Sequence, residues 1–225
     1  MQKGFRYTSQ KHNDALLALG NVRIGTLHDF RRTEHKWGIA DSNEGTKTVS
    51  HFIPHVTDKH EGSIHLKAIK QFNAIDISGA TNVTISNVEL VQRFNHPDCF
   101  VHCLSASFST EVLQQFEGAD SCAEIHDLQG FYQRLTETLN LHWPVRLLSI
   151  SKVFYMRREE NWNGRDWGVH PALIKEAKFS RQVEIRAIWQ PRIAAHISPI
   201  ILNDIELVRF CSARELPGPI SHFDR

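Results

Sequence analysis

The apolar residues of this chain fall in short runs that alternate with polar residues, and this pattern limits the fold more than any other feature. Between residues 62 and 94 the runs are SIHLKAIKQF, AIDISGA and NVTISNVELVQRF, with turn-forming pairs at Ser78-Gly79 and Thr81-Asn82. Alternation with a period of two is typical of strands that bury one face. The segment therefore predicts three short antiparallel strands.

Other runs rich in β-branched and aromatic residues predict the rest of the sheet. They are GFRYT (residues 4–8), NVRIGTL (21–27), CFVHCLSASF (99–108), PVRLLSISKVFYM (144–156) and RQVEIRAIW (181–189). The segment 28–50 is rich in charge, Gly and Asn, and a stretch of this length and composition predicts a long loop.

Helices are predicted where the apolar spacing lengthens or a capping residue stands. These positions are 11–19 before Gly20, a helix from Thr110 after the cap Ser109, 122–140, and a helix from Pro171 to about Ala177. With no internal repeat or linker, we expect one α+β domain over residues 1–225, built mostly of antiparallel strands with a few helices.

Composition sets the class of protein and its surroundings. The chain has 225 residues and a formal net charge of +1, so there is no overall field that would attract nucleic acid or an anionic membrane. The four cysteines follow no disulfide-rich spacing, and no apolar run approaches the ~18 residues of a membrane-spanning helix. We expect a cytoplasmic protein with reduced thiols and no membrane partner.

The run RQVEIRAIW contains an amide and a carboxylate two positions apart. On a strand, Gln182, Glu184 and Arg186 share one face, and neighbours on that face lie roughly 6–7 Å apart. That spacing suits two groups that contact adjacent parts of one small ligand. The alternative is an antiparallel strand whose polar face simply meets water, which is common.

The stretch HPDCFVHC brings His96, Cys99, His102 and Cys103 together in the sequence. Structural zinc usually needs two pairs of ligands, and no second pair matches this one. On a strand, His102 and Cys103 also point to opposite faces, and a mid-strand cysteine lacks the surroundings that activate a nucleophile. We therefore expect no metal site here. The chain also has neither a P-loop nor a Gly-x-Gly-x-x-Gly turn.

Three features occur in a fixed order: Arg6 on the first strand, Ser105 and Ser107 on a middle strand, and Gln182 with Glu184 near the C-terminus. This order resembles the ADP-ribosyltransferase fold of the Arg–Ser–Glu type, seen in many bacterial toxins. The opening FRYTS…LLALGNVRIGTLHDFR is similar to the start of that fold, and the resemblance implies its split sheet.

The resemblance implies NAD as co-substrate and a role for each matching residue. Arg6 would hold the dinucleotide, Ser105 and Ser107 would support the nicotinamide-ribose side, and Glu184 would contact the ribose 2′-hydroxyl as the catalytic carboxylate. Tyr7 and Thr8 follow Arg6 and are assigned to the same cofactor site, and the ring of Tyr7 or Phe30 is expected to stack on the nicotinamide.

In that family the residue two before the catalytic glutamate helps to select the acceptor of ADP-ribose. Gln182 therefore implies an amide or a nucleobase, and Arg157, Arg158 and Trp162 in YMRREENWNGRDW are candidates for contacting RNA or DNA. The implied setting is a toxin of a toxin–antitoxin or phage-defence system with an antitoxin partner. The open alternatives are modification of a protein side chain, hydrolysis of NAD without an acceptor, a non-catalytic binding or adaptor domain, and a merely solvated loop.

Overall fold

A computed structural model describes residues 2–32, 40–77 and 79–216 of the chain. Its strands are β1 Gly4–Thr8, β2 Asn21–Thr26, β3 Thr46–Thr57, β4 Thr84–Asn95, β5 Phe100–Ser105, β6 Ser121–Ile125, β7 Val145–Lys152, β8 Phe154–Tyr155, β9 Glu159–Asn161, β10 Ile174–Lys175, β11 Glu184–Pro191, β12 Ile200–Asn203 and β13 Cys211–Arg214. Its α-helices are α1 Gln10–Leu19, α2 Ile64–Phe72, α3 Thr110–Leu113 and α4 Leu128–Asn140, and its 3-10 helices are Asp29–Arg31, Pro171–Leu173, Ala177–Gln182 and Ile205–Phe210. The predicted α+β class with mostly antiparallel strands is confirmed.

Strand β5 organises the main sheet. Every residue of β5 pairs with β11, from Ser105 opposite Glu184 to Phe100 opposite Trp189. The other edge of β5 is shared, because β2 pairs only with Phe100 and Val101 whereas β1 pairs only with Ser105. The sheet is therefore split between β1 and β2. Beyond the split, β12 continues from β2, β6 and β13 continue from β1, and β7 flanks β11.

One face of this sheet carries the largest core. Helix α4 lays Phe131, Tyr132 and Leu135 against Ile185 and Trp189 of β11, and all five side chains are buried. The helix begins at its cap Asp127, whose carboxylate accepts a hydrogen bond from the Gly130 N–H. Burial of large apolar side chains is the main favourable term in folding, so this layer holds β5 and β11 in place.

A second, three-stranded sheet has the order β4-β3-β9. Helix α2 covers one of its faces and closes a smaller core around Val49, Ile53, Ile69 and Trp162. Residues 46–57 were assigned to a loop or left unassigned in the sequence analysis, so β3 was missed. The loop was predicted from the charge, Gly and Asn content of residues 28–50, which overlap the start of β3. Pro54 is tolerated within the strand because the pairing with β4 omits it and β9 pairs only with residues 48–50.

The prediction of three strands between residues 62 and 94 is wrong for the first two. The run SIHLKAIKQF forms α2, in which Ala68 and Ile69 are buried and the Ser63 hydroxyl accepts a hydrogen bond from the His65 N–H as the cap. A short apolar run can fit either period, and tertiary packing against β3 decides here. Residues 74–77 form no strand, and only the third run is a strand, β4.

Other predicted elements differ mainly in their boundaries. The predicted helix 122–140 is a strand, β6, followed by α4, and the predicted helix from Pro171 is a single 3-10 turn. The first strand, the helix that ends at Gly20 and the cap Ser109 are confirmed. Residues 33–39 of the predicted loop and Ser78 of the predicted turn lie outside the described residues.

Gly20 ends α1 at a point where the backbone of Asp204 passes very close to it. Its φ is +63°, and a Cβ added there would lie 1.8 Å from the Asp204 carbonyl oxygen. We expect Gly20→Ala to lower the free energy of unfolding by about 3 kcal/mol or more, because the backbone must move. The matched control is Gly62→Ala, which has a φ of +78° but no atom within 4 Å. It should cost only the left-handed penalty of about 1–2 kcal/mol. Urea denaturation of both variants measures the difference, and equal losses would contradict the role of the close approach.

Candidate functional site

The split in the main sheet opens into a cavity of about 350 Å³, which is within the usual range of small-molecule sites. Three segments that are far apart in the sequence meet there. Seven of the eight residues that the resemblance assigned to NAD or to catalysis line the cavity: Arg6, Tyr7, Thr8, Phe30, Ser105, Gln182 and Glu184. The cavity therefore brings the predicted first, middle and last elements together.

The strand register places these residues on two faces of the sheet. Phe5, Ser105 and Glu184 lie directly across from one another on β1, β5 and β11, so their side chains share a face. Arg6 follows Phe5 and points to the opposite face. Arg6 and Glu184 nevertheless line the same cavity, because the split lets it reach through the sheet.

Glu184 is the centre of a buried charge cluster. Its Oε2 lies 2.6 Å from the Lys175 Nζ, and its Oε1 lies 2.9 Å from the Arg186 Nε. Arg186 in turn binds both carboxylate oxygens of Glu44, at 2.8 and 3.3 Å, and Lys175 also donates to Gln182 Oε1 at 2.7 Å. Two cations face two anions, so the buried charges are balanced within the cluster.

These neighbours set the ionisation of Glu184. Burial alone would raise the pKa of its carboxyl group, but the charges of Arg186 and Lys175 outweigh burial and lower the pKa to about 2. The same pairing raises the pKa of Arg186 well above its ordinary value, although burial opposes the rise. Glu184 is therefore a carboxylate at neutral pH and can only accept hydrogen bonds.

The prediction that residues 181–183 belong to the strand of Glu184 is wrong. Gln182 is the last residue of the 3-10 helix Ala177–Gln182, and Val183 follows with a φ of +45°. A left-handed conformation is costly for a β-branched residue, and such strain is often found beside functional sites. The amide of Gln182 and the carboxylate of Glu184 still converge, because both accept hydrogen bonds from the Lys175 Nζ.

The two predicted serines are separated by the structure. Strand β5 ends at Ser105, so the prediction that Ser107 shares its strand face is wrong. The Ser105 hydroxyl donates to the Ser107 carbonyl and accepts from the Ser107 N–H, both at 3.1 Å, and this turns the chain away from the sheet. Ser105 lines the cavity, and Ser107 does not.

Arg6 is a cation without a counter-charge. Its Nη1 donates to the His12 carbonyl at 3.1 Å, and no ion pair with a described carboxylate is formed. Burial lowers its pKa to about 10, so the guanidinium stays charged at neutral pH. A partly buried arginine without a carboxylate is costly unless an anion binds it.

Tyr7 and Phe30 supply the aromatic walls. The Tyr7 ring stacks on Phe116, and its hydroxyl donates to the Ser107 carbonyl, so the ring is already held in place. Burial raises the pKa of Tyr7 to about 12. Phe30 lies over Gly25, where an added Cβ would come within 2.9 Å of the ring. Gly25 therefore allows Phe30 to close one side of the cavity.

Two of the three residues predicted to contact an acceptor lie in the interior. Arg158 binds Asp41 at 2.7 Å and the Thr46 carbonyl at 3.1 Å, and Trp162 is packed in the core under α2. Neither side chain offers an exposed face on which a base could stack, so the structure does not support these two assignments, although Arg158 is among the residues around an open groove. Arg157 is exposed at a separate open groove of about 520 Å³.

The cysteine and histidine run does not form a ligand cluster. Cys99 is buried, and burial raises the pKa of its thiol to about 12. Burial, and then the charge of Glu184, also raise the pKa of Cys103, so its thiol stays protonated. Within the described ranges, no three His, Cys, Asp or Glu side chains are grouped to hold a metal ion. No helix in that part of the chain has the length and apolar character needed to cross a bilayer.

Several residues that line the cavity were not predicted to belong to the site. Among them are the charged residues Glu44 and Lys175 and the imidazole of His102, whereas Arg186 was predicted to share the face of Glu184 but was given no role. Glu44 lies in the segment assigned to a loop, and Lys175 lies in a predicted helix. No local pattern pairs a charged residue with a partner 142 positions away, as Arg186 is paired with Glu44.

Comparisons with known protein families, with curated proteins and with solved structures give no match for this chain.

The charge cluster predicts an acid-sensitive stability. The pKa of Glu184 is about 2 in the folded protein and about 4.3 in an unfolded chain. Between these values the unfolded state binds more protons, so the free energy of unfolding must fall as the pH is lowered from about 5 to about 2. We expect Glu184→Gln to flatten this decline, measured by urea denaturation across that range. The control is Glu206→Gln, an exposed carboxylate outside the cluster. An unchanged slope in Glu184→Gln would contradict the assignment.

Proposed function

We propose that this protein is an NAD-dependent ADP-ribosyltransferase. The observation that carries the proposal is the meeting of Arg6, Ser105 and Glu184 in one cavity at the split of the sheet. These residues come from β1, β5 and β11, the same order of elements on which the resemblance rests. A sheet edge divided between two strands gives a dinucleotide a place to lie across the strands.

The chemistry of Glu184 supports this assignment. Cleavage of the nicotinamide–ribose bond passes through an oxocarbenium-like state, as in glycoside cleavage. A carboxylate bound to the ribose 2′-hydroxyl interacts more strongly as positive charge grows on the sugar, and so stabilises the transition state selectively. The carboxylate has about four lone-pair sites. Two nitrogens of Arg186 approach Oε1 and one of Lys175 approaches Oε2, so the remaining acceptor capacity is mainly on Oε2.

The rest of the cavity suits the other parts of NAD. Arg6 is a planar cation without a carboxylate partner among the described residues, which fits the pyrophosphate. Phe30 and Tyr7 are ring walls that fit a nicotinamide or adenine face. Gln182 adds a neutral amide beside Glu184, so we extend the proposal to an acceptor with an amide or an exocyclic base amine. Of these we propose a nucleobase of RNA or DNA first, with an asparagine side chain of a protein as the alternative.

One observation favours a second candidate, which is binding of the nucleotide without turnover. Both oxygens of Glu184 already accept hydrogen bonds from buried cations. If the cluster only holds β11 against the turn that carries Glu44, the cavity would bind a nucleotide and leave it intact. The two candidates agree on NAD binding and differ on NAD consumption.

The test is incubation of the protein with NAD labelled in the adenylate portion, together with RNA, DNA or cellular protein. We expect label transfer to one acceptor class, and a loss of at least about tenfold to a hundredfold in Glu184→Gln, since a charge-assisted hydrogen bond contributes ~1.5–3 kcal/mol. The control is again Glu206→Gln. Far-UV circular dichroism confirms that both variants fold.

Each other outcome has a distinct meaning. NAD binding in a thermal-shift titration without consumption would support the second candidate. Free ADP-ribose as the sole product would identify hydrolysis without an acceptor. Neither binding nor consumption by the folded protein would overturn the proposal.

A further inference from the structure

His102 lies in the split of the sheet, on the part of β5 that neither β1 nor β2 covers. Its side chain points to the same face of the sheet as Arg6. Phe5 and Ser105 share the face of Glu184, so Arg6, one residue after Phe5, and His102, three residues before Ser105, point to the opposite face. The ring is almost fully buried and lines the cavity. His12 also lines the cavity, but its Nδ1 is hydrogen-bonded to the Ser9 hydroxyl. The reaction proposed above makes no use of His102.

The hydrogen bonding of the ring defines its tautomer. His102 Nδ1 lies 3.1 Å from the hydroxyl oxygen of Tyr132, which is wholly buried. Among the described residues that hydroxyl has no other partner, so it must donate its proton to Nδ1 to avoid an unpaired donor in the core. Nε2 therefore carries the ring proton of the neutral imidazole.

We infer that Nε2 faces the cavity. It has no hydrogen-bond partner among the described residues and is not one of the fully buried polar atoms without a partner, so it must reach open space, and the open space that His102 lines is the cavity. Burial, and then the charge of Arg6, lower the pKa of His102 to about 3, so the ring is a neutral donor at physiological pH. The floor of the split thus presents an N–H donor beside an unpaired cation.

We propose that the gap between β1 and β2 is a phosphate-binding site in which the Arg6 guanidinium and the His102 Nε2–H donate to the same phosphate group. A phosphate oxygen accepts hydrogen bonds and carries the charge that Arg6 lacks, whereas a cationic or donor group would be repelled. The site rests on the proposed function only in naming the pyrophosphate of NAD as its natural occupant.

Substitutions at His102 separate ligand binding from a structural role. In His102→Gln the amide nitrogen can take the place of the donor Nε2, whereas in His102→Asn the amide oxygen can take the place of the acceptor Nδ1 but no donor reaches the position of Nε2. We expect His102→Asn to weaken binding of inorganic pyrophosphate by about tenfold or more, and His102→Gln to keep most of it, measured by calorimetry. A purely structural role would give the reverse order, because Asn preserves the contact with Tyr132. Exposed His142→Gln is the control.

Nitrogen-15 NMR of the unmodified protein tests the same claim without a variant. The spectrum should show His102 protonated at Nε2 and unchanged between pH 5.5 and 8, and pyrophosphate should shift the Nε2 signal while adenosine leaves it in place. An Nδ1-protonated ring, or no response to pyrophosphate, would overturn the proposal. A response to pyrophosphate without NAD consumption would retain this site and count against the proposed function alone.

A different observation concerns the free edge of the second sheet. Strand β4 is 12 residues long, and no described strand pairs with its outer edge. Long exposed edges are templates for pairing with another chain, and proteins usually protect them with Lys, Pro or a short strand. Next to this edge, the solvent face of the sheet exposes two apolar side chains, Val91 of β4 at 45% and Phe52 of β3 at 57%.

The charged residues of β4 would attract one another if two copies of the strand paired in antiparallel orientation. Glu89, Val91 and Arg93 share one face, because successive side chains alternate. In an antiparallel pair of two β4 strands centred on Val91, each Glu89 lies opposite the Arg93 of the other copy. We infer that a second copy of this chain pairs with β4 and forms a two-fold symmetric dimer with a continuous sheet.

Charge reversal tests this dimer. The unmodified protein should be a dimer by analytical ultracentrifugation, and Glu89→Arg and Arg93→Glu alone should each be monomeric, because like charges then face each other at both ends. A mixture of the two variants should form a heterodimer, and the doubly exchanged chain should dimerise again. A monomeric unmodified protein, or a dimer that Glu89→Arg leaves intact, would overturn the inference.

Discussion

The cavity that holds Arg6, Ser105 and Glu184 depends on how the two edges of β5 pair with neighbouring strands. One edge is fully paired with β11, and the other is divided between β2 and β1, which leaves the middle of the strand open. A continuous ladder on both sides would satisfy every backbone group but leave no cavity. The open stretch is tolerated because α4 and the large core hold β5 and β11 from one face. Packing on that face thus supports an opening at the edge.

The opening joins two chemically different sides. On the face of Glu184 the polar groups are buried and mutually paired, with Lys175 and Arg186 as partners. On the other side Arg6 has no carboxylate among the described residues, and His102 presents a donor. A ligand that passes through the split would meet a carboxylate at one end and cationic or donor groups at the other. A ribose joined to a phosphate has this order of groups.

The buried charge cluster of Glu44, Lys175, Glu184 and Arg186 limits which substitutions the site can tolerate. Removing one partner leaves an unpaired buried charge, which typically costs about 3–5 kcal/mol. Glu44 and Arg186 are therefore coupled to Glu184 even if they never contact a ligand. The cluster ties β11 to the turn before β3, so it connects the main sheet with the second one. Stability and site geometry depend on the same few contacts.

Much of the main sheet was predictable from local pattern. The runs at β1, β2, β5 and β11 combine β-branched residues with turn signals, and no competing helical period is present. The run that forms α2 was misread, since its apolar residues fit both periods over so short a length. Strand β3 was not predicted, because the charge, Gly and Asn content of residues 28–50 indicates a loop that overlaps its first residues.

The sequence by itself determined the α+β class and the order in which Arg6, Ser105 and Glu184 follow one another, because these depend on local periodicity and residue type. Only the tertiary structure decided that Glu184 is paired with Lys175, that Arg186 is paired with Glu44, and that Trp162 is a core residue. The physical reason is that pairing and burial are properties of contacts between distant segments. Neither hydrophobic period nor turn chemistry carries information about which distant side chain will be the partner.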